Sequence, residues 1–336
     1  MYSERRYSFR RSMWWTRHSI AVMFVYSSLL TALHYKFEWA WLAMPWQPIS
    51  LLGTALAFYL GFKTNSAYGR LWEARIIWGG IVNASRSFTV MARDFILIDD
   101  DDDPKAGIRR QVVDRHIAWL HMLTLELRKL KTWEHNGTMS QAMRRFLGTE
   151  VKDGDDEKLL RTYVTADEAE RLLRKGNRSS HLLSTQSKQL MQLRKDGHLD
   201  HFRHLEMQRL ITEFYTLQGK SERIKNFPFP RQYASATYLS IFLFLVVLPL
   251  GMIDVFDAHK PEWFVFLAVP SSVVCGWVYW FMDRIGEYSE NPFEGLSNDI
   301  PIKSMSRSIE IDILQMLDEE DLPPAIGVVE GSSVVV

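Results

Sequence analysis

The chain has 336 residues, room for one large domain or two small ones. Forty Lys plus Arg balance forty Asp plus Glu, so a nucleic-acid footprint would need strong local clustering. A lone cysteine, Cys275, excludes an intrachain disulfide and a cysteine-based zinc site.

Five arginines, Arg5, Arg6, Arg10, Arg11 and Arg17, precede the first apolar run at residues 20–35. A signal peptide shares that charge but needs a small-residue cleavage site. Lys36, Phe37, Glu38, Trp39, Ala40 and Trp41 follow instead, so this segment is predicted to be retained. With twelve Trp, 19 Phe and 12 Tyr the chain is rich in the aromatics that form membrane-interface belts.

The second apolar segment, ISLLGTALAFYLGF at 49–62, is short. Fourteen residues rise only about 21 Å, less than the ~30 Å hydrocarbon core. It follows Pro45 and Pro48 and contains Gly53, Ala55, Ala57 and Gly61, small residues that allow close helix packing inside an assembly. Helical spacing continues through Leu71, Trp72, Ile76, Ile77 and Ile81, now mixed with Lys63, Arg70, Glu73 and Arg75. The helix is predicted to run on out of the membrane into water.

Apolar residues at helical spacing, Val112, Val113, Ile117, Leu120, Leu123 and Leu127, predict a helix over 109–130. Thr165 and Glu168 are placed as a capping box opening another. Residues 182–193 and 199–217 supply two more, and strand patterns and phosphate-binding glycine loops are absent. The runs at 233–253 and 263–282 are each long enough to cross a bilayer, and the residues between them form a short hairpin connection. After Leu317 the tail turns acidic, then Pro- and Val-containing, and is expected to be extended or disordered. The linker at 36–48 holds one lysine and no arginine, whereas basic residues flank the far sides of both segments. The positive-inside rule therefore places both termini and residues 63–226 in the cytoplasm, in a multi-pass protein of the cell inner (plasma) membrane.

Asp99, Asp100, Asp101, Asp102 and Asp103 form an unspaced acidic run. A calcium loop spaces its ligands around a turn glycine, so the run reads as a solvated loop. His198, His201 and His204 recur at spacings of three, but no fourth ligand is evident and a polar helix face or loop accounts for them better than a metal does. No hydrolase, zincin, P-loop or dinucleotide fingerprint is present; an enzyme and a cofactor are not expected. Thr54, Phe58 and Phe62 share one stripe of the second segment at spacings of four. In a monomer such a stripe would serve helix packing; in a ring of subunits it would line an axial pore and gate by dewetting.

The stretch LGFKTNSAYGRLWEARIIWGGIVNASRSF at 60–88 closely resembles the signature of bacterial bestrophin-family proteins. Phe229-Pro230 leading to Tyr233 resembles the family's proline-preceded helix, and Asn291-Pro292-Phe293 followed by Asn298-Asp299-Ile300-Pro301 and the helix at 308–314 resembles its C-terminal signature. The resemblance runs from about Arg10 to Leu317. It implies an all-α integral membrane protein with four transmembrane helices, a large helical cytosolic domain and a homopentameric channel with one axial pore. The division implied is residues 1–62, 63–226, 227–285 and 286–336. The family's hydrophobic neck maps to Thr54, Phe58 and Phe62, with threonine where the family commonly has an aliphatic residue; its hydroxyl would make the outer neck wetter. A lower constriction maps near Phe202, after the turn at Lys195-Asp196-Gly197. Only Glu294 and Asp299 follow Asn291-Pro292-Phe293, where animal members carry an acidic calcium-binding cluster, so calcium activation there is not expected. The expected partners are four further copies of the chain, membrane lipid and monovalent ions, with no nucleic acid. The family resemblance leans to chloride, while Glu73 and the aspartate run leave a sodium- or potassium-conducting channel open. A transporter would show inverted repeats, and none is seen; a membrane-anchored scaffold would need no aligned stripe.

Overall fold

The computed structural model describes residues 1–4, 6–7, 9–98, 107–258 and 261–336. The aspartates at 99–103 lie outside them. The described residues are helical, with strand pairing limited to isolated bridges Tyr2–Val334 and Val328–Val335. They divide into two compact units, one of Met1–Ser3, Arg70–Phe227 and Asn291–Val336, the other of Glu4–Gly69 and Pro228–Glu290.

The second of these units is built from α1 (Phe9–Phe37), the first part of α2 (Trp46–Phe95), α9 (Arg231–Asp257) and α10 (Ala268–Ser289). Three helical stretches, Ser12–Phe37, His201–Asp257 and Glu262–Ser289, are long and apolar enough to cross a membrane. Most of their apolar surface points outward: Val22, Val25 and Leu29 on α1, Tyr238 and Leu239 on α9, and Val274 on α10 are exposed. Water would not tolerate such a surface, and lipid does. At one end of α1, Trp15 packs against Trp280, Phe281 and Tyr288; at the other, Tyr35 meets Phe266, and Phe37, Trp39 and Trp41 stack in series. Trp15 and Tyr35 are 20 residues apart in this helix, about 30 Å, the thickness of the hydrocarbon core. That separation suits aromatic belts at the two faces of a bilayer.

In lipid, helices associate by close contact rather than by water release. Added Cβ atoms at Gly276 and Gly251 would lie 2.7 Å from Met23 and Ile49 respectively. Pro249 interrupts α9 from within, and the Tyr26 hydroxyl donates to the Val246 carbonyl nearby at 2.9 Å. The run at 263–282 is not one α-helix. Its first residues form a 3-10 turn, Glu262–Leu267, before α10 begins. Pro270 explains where the α-helix starts, because a proline fits the first turn, whose N–H groups need no partner.

The other unit centres on α3 (Ile108–Arg128), whose predicted apolar positions Val112, Val113, Ile117, Leu120, Leu123 and Leu127 are all buried. Around it pack α5 (Asp155–Tyr163), α7 (Arg178–Lys195), α8 (His201–Asn226) and α11 (Ile302–Met316). The later part of α2 adds Ala74, Ile77, Trp78, Ile81, Phe88 and Ala92 to the same core. Thr165 does stand at the N-cap of α6 (Ala166–Leu173), but no side-chain cap bond forms. Glu168 instead accepts two bonds from buried Arg115, at 2.6 and 2.7 Å. A bidentate guanidinium pair outweighs a backbone cap.

His116 of α3 is enclosed by Phe88, Trp119 and Phe214, with ring centroids 4.6–5.3 Å away. Burial pushes its pKa down to about 3, against about 6.5 in an unfolded chain. Between these values the unfolded chain binds the extra proton, so stability present above pH 6.5 is lost as pH falls. Acidification from pH 7 to 4 is expected to cost on the order of 3 kcal/mol through this group. Melting of His116→Phe followed by circular dichroism should show a flatter pH dependence; an unchanged slope contradicts the assignment.

The tail is extended but docked. Val334 and Val336 are buried with Leu147, and the Ser304 amide donates to the Val336 carbonyl at 2.6 Å. The loop from Asn291 to Asp299 is also held tightly. Gly295 has φ +88°, and a Cβ there would lie 2.7 Å from Thr149 Oγ1. Gly295→Ala combines a left-handed backbone, worth about 1–2 kcal/mol, with that clash. A clear drop in the melting temperature of the solubilised protein is the expected reading.

Candidate functional site

Helix α2 begins at Trp46, before Pro48 rather than after it. The Asp254 carboxylate of α9 accepts the Trp46 amide at 3.0 Å, satisfying a donor the helix leaves free. From there a buried stripe runs Ile49, Gly53, Leu56, Leu60, Lys63 and Ala67. These positions recur at three and four, one side of a helix. Gly53 permits the closest approach, with the Tyr279 hydroxyl donating to its carbonyl at 3.0 Å and an added Cβ lying 3.0 Å from Phe244. Small residues do not all pack: Ala55, Ala57 and Gly61 are exposed, and no neighbour lies within 4 Å of a Cβ built at Gly61.

Lys63 is the charged member of the buried stripe. Its Nζ lies 2.6 Å from Asp283 Oδ1 of α10, with the two side chains 8% and 4% exposed. Arg284 donates to the other Asp283 oxygen at 3.0 Å. The pair fixes the rotation of α2 about its axis one residue after Phe62.

The opposite face of α2 carries Thr54, Phe58 and Phe62. Phe58 is 69% and Phe62 72% exposed, and Thr54 is exposed one turn earlier. The Thr54 hydroxyl donates to the Ser50 carbonyl at 2.9 Å, so its proton is committed to the helix and its oxygen can still accept. Phe202 lies in the other unit, on the first turn of α8, and is 78% exposed. Asp200 caps that helix, accepting from the amides of Phe202 and Arg203. The turn before it has Gly197 at φ +82°, and its His198 carbonyl accepts the Leu97 amide at 2.8 Å.

The three histidines do not share a helix face. His198 precedes α8 and its Nδ1 lies 3.2 Å from the Leu97 carbonyl, whereas His204 is buried and His201 exposed. Among the described residues no group of three or more metal-binding side chains comes together. Glu73 forms an ion pair with Arg223, both partly exposed. Glu294 accepts from Asn291 at 2.7 Å and faces His135 Nδ1 at 2.9 Å. Asp299 accepts the amides of Gly295 and Leu296 at 2.6 and 2.9 Å, with Arg128 at 3.7 Å. Asn291, Gly295 and Leu296 are near neighbours in the chain, whereas the His135 partner carries no local sequence signal because it lies 159 residues from Glu294.

Residues 14–315 match the family described as bacterial/fungal bestrophin protein. The chain is 28% identical over 308 residues, 92% of its length, to "Voltage-dependent anion channel-forming protein YneE" of Escherichia coli strain K12, covering 86% of that protein. It is 26% identical to the "Voltage-dependent anion channel-forming protein RSc3414" of Ralstonia nicotianae, over 90% of this chain and 87% of the relative. Its fold matches the crystal structure of a bacterial bestrophin homolog from Klebsiella pneumoniae with a TM-score of 0.74 at 23% identity, over 90% of this chain and 98% of the other. The signatures at 60–88 and 291–301, the helical fold and the match across almost the whole chain agree, and the chain belongs to the bacterial/fungal bestrophin family.

Proposed function

We propose that the chain is one subunit of a homopentameric anion channel, with chloride the expected ion, in which Thr54, Phe58 and Phe62 of each subunit line the neck of an axial pore. The observation that carries this reading is the two-sidedness of α2. One face is packed and pinned by the buried Lys63–Asp283 pair, while the other presents two large phenylalanines mostly uncovered by their own chain. An exposed apolar stripe needs lipid, a partner or a narrow pore to justify it, and a ring of such side chains gates by dewetting.

Anion conduction draws support from the relatives named as voltage-dependent anion channel-forming proteins. It also draws support from Glu73, whose charge is compensated by Arg223 and so attracts cations less than a free acid would. Phe202 is assigned to a second, lower constriction of the same pathway. Both termini and residues 63–226 are assigned to the cytoplasm, on the inner side of the plasma membrane, following the basic residues before the apolar run of α1 and those after the apolar run of α2, Lys63, Arg70, Arg75 and Arg86.

Purified protein in planar bilayers tests the reading. Unitary current steps with reversal potentials that follow the chloride gradient are the expected result; reversal at the potassium or sodium potential selects a cation channel, and a silent membrane removes the channel altogether. Calcium at micromolar levels is expected to leave the open probability unchanged, because Glu294 and Asp299 are already engaged by His135, Arg128 and backbone amides. Strong calcium activation would contradict that assignment.

A further inference from the structure

A cavity of about 480 Å³ lies between the C-terminal end of α3, the start of α4 (Thr138–Leu147) and the segment before α5. That volume is within the ~300–1,000 Å³ usual for small-molecule sites. Its lining includes Arg128, Lys129, Asn136, Gln141, Arg144 and Lys152.

Two of these are buried cations with bonding capacity to spare. Arg144 is 2% exposed; its Nη2 donates to the His135 carbonyl at 2.8 Å, and its Nη1 has no hydrogen-bond partner. Among the described residues no carboxylate is within ion-pair distance of it. Arg128 is 5% exposed; its Nη2 donates to the Ile300 carbonyl at 3.1 Å, while its Nε and Nη1 make no hydrogen bond and Asp299 stays 3.7 Å away. Burial draws the Arg128 pKa down to about 10, with the charges of Asp299 and Glu134 opposing the fall.

Acids line the same cavity: Glu150, Asp153 and Asp156. Two of them are occupied from outside it, Glu150 by Arg145 at 3.3 Å and Asp156 by Arg178 at 2.5 Å. Arg128 has Asp299 as its own outside partner at 3.7 Å, which leaves three cations, Lys129, Arg144 and Lys152, against one carboxylate, Asp153. A buried guanidinium with a free N–H costs free energy unless an acceptor arrives, and its fork geometry suits a carboxylate or phosphate.

We propose that this cavity binds a small organic anion through a carboxylate or phosphate group, with Arg144 and Arg128 as the buried donors and Lys129 and Lys152 as the rim. Neither the pore nor the neck residues enter the argument, so the site stands or falls separately from the channel.

Titration calorimetry on the full-length protein in detergent tests it, with succinate, inorganic phosphate and chloride as probes at matched ionic strength. Saturable binding of succinate or phosphate, with none of chloride, is expected; succinate alone identifies a carboxylate ligand, phosphate alone a phosphoryl one. Arg144→Gln should weaken binding about 10- to 100-fold, the worth of a hydrogen bond between charged groups. Lys152→Glu, at an exposed position, should weaken it about fivefold and leave the fold intact. Should Arg144→Gln fail to fold, Lys152→Glu decides. Absence of saturable binding to both oxyanions, equal displacement by chloride, or wild-type affinity in both variants overturns the proposal.

Discussion

Single-channel conductance of Phe58→Ala is expected to exceed that of the wild type severalfold, with a higher open probability. Phe58 projects from the free face of α2 with 69% of its surface uncovered by its own chain, so truncation removes bulk without opening a hole in the unit's packing. If the ring narrows an ion path, a methyl in its place widens the path and admits water that an apolar collar excludes. Phe62→Ala should act in the same direction and, being one turn further along the same stripe, should not add independently of Phe58→Ala. Phe58→Trp should lower conductance. A set of variants with wild-type currents would show that the stripe faces something other than the ion path.

The second large effect concerns the pair beneath that stripe. Asp283→Ala leaves the Lys63 ammonium buried without its partner 2.6 Å away. Breaking a buried pair in this way typically costs about 3–5 kcal/mol, and α2 would lose the contact that sets its rotation. Gel filtration of Asp283→Ala is expected to show loss of the assembled protein. The double variant Lys63→Met with Asp283→Leu replaces both charges by apolar groups of similar bulk, and it should restore assembly because such exchanges are often neutral. If the single variant assembles normally, or the double variant does not recover, the pair is not what fixes the helix.

Much of this arrangement was legible in the sequence, and the reason differs from element to element. The stripe of Thr54, Phe58 and Phe62 is visible because helical spacing depends only on positions within one helix. The buried residues of α3 follow from the same periodicity. What failed was whatever depended on distant partners. The capping box at Thr165 and Glu168 is a sound local pattern, yet Arg115, 53 residues away, claims the carboxylate. The histidine spacing left a helix face or a loop open; Asp200 starts the helix after His198, so the three are divided between the turn and the helix. The tail was expected to be extended or disordered, and it is extended; its docking depends on distant partners, its valines on Leu147 and its backbone on Ser304. The apolar run at 263–282 gave its length correctly but concealed the 3-10 turn at its start. Arg144 and Arg128 carried no sequence signal, since a cation becomes informative only when burial strips it of water.

Family membership, from the match over residues 14–315, does not by itself say which side chains meet the ion. The claim that matters most is that the free face of α2 turns toward a shared central opening. An electron cryomicroscopy map of the purified oligomer in lipid nanodiscs tests it directly. The account predicts five copies around a continuous axial channel, narrowed by rings of Phe58 and Phe62 with Thr54 beside them. A map in which those phenylalanines are buried between neighbouring subunits or turned to lipid, with no opening along the axis, would contradict it.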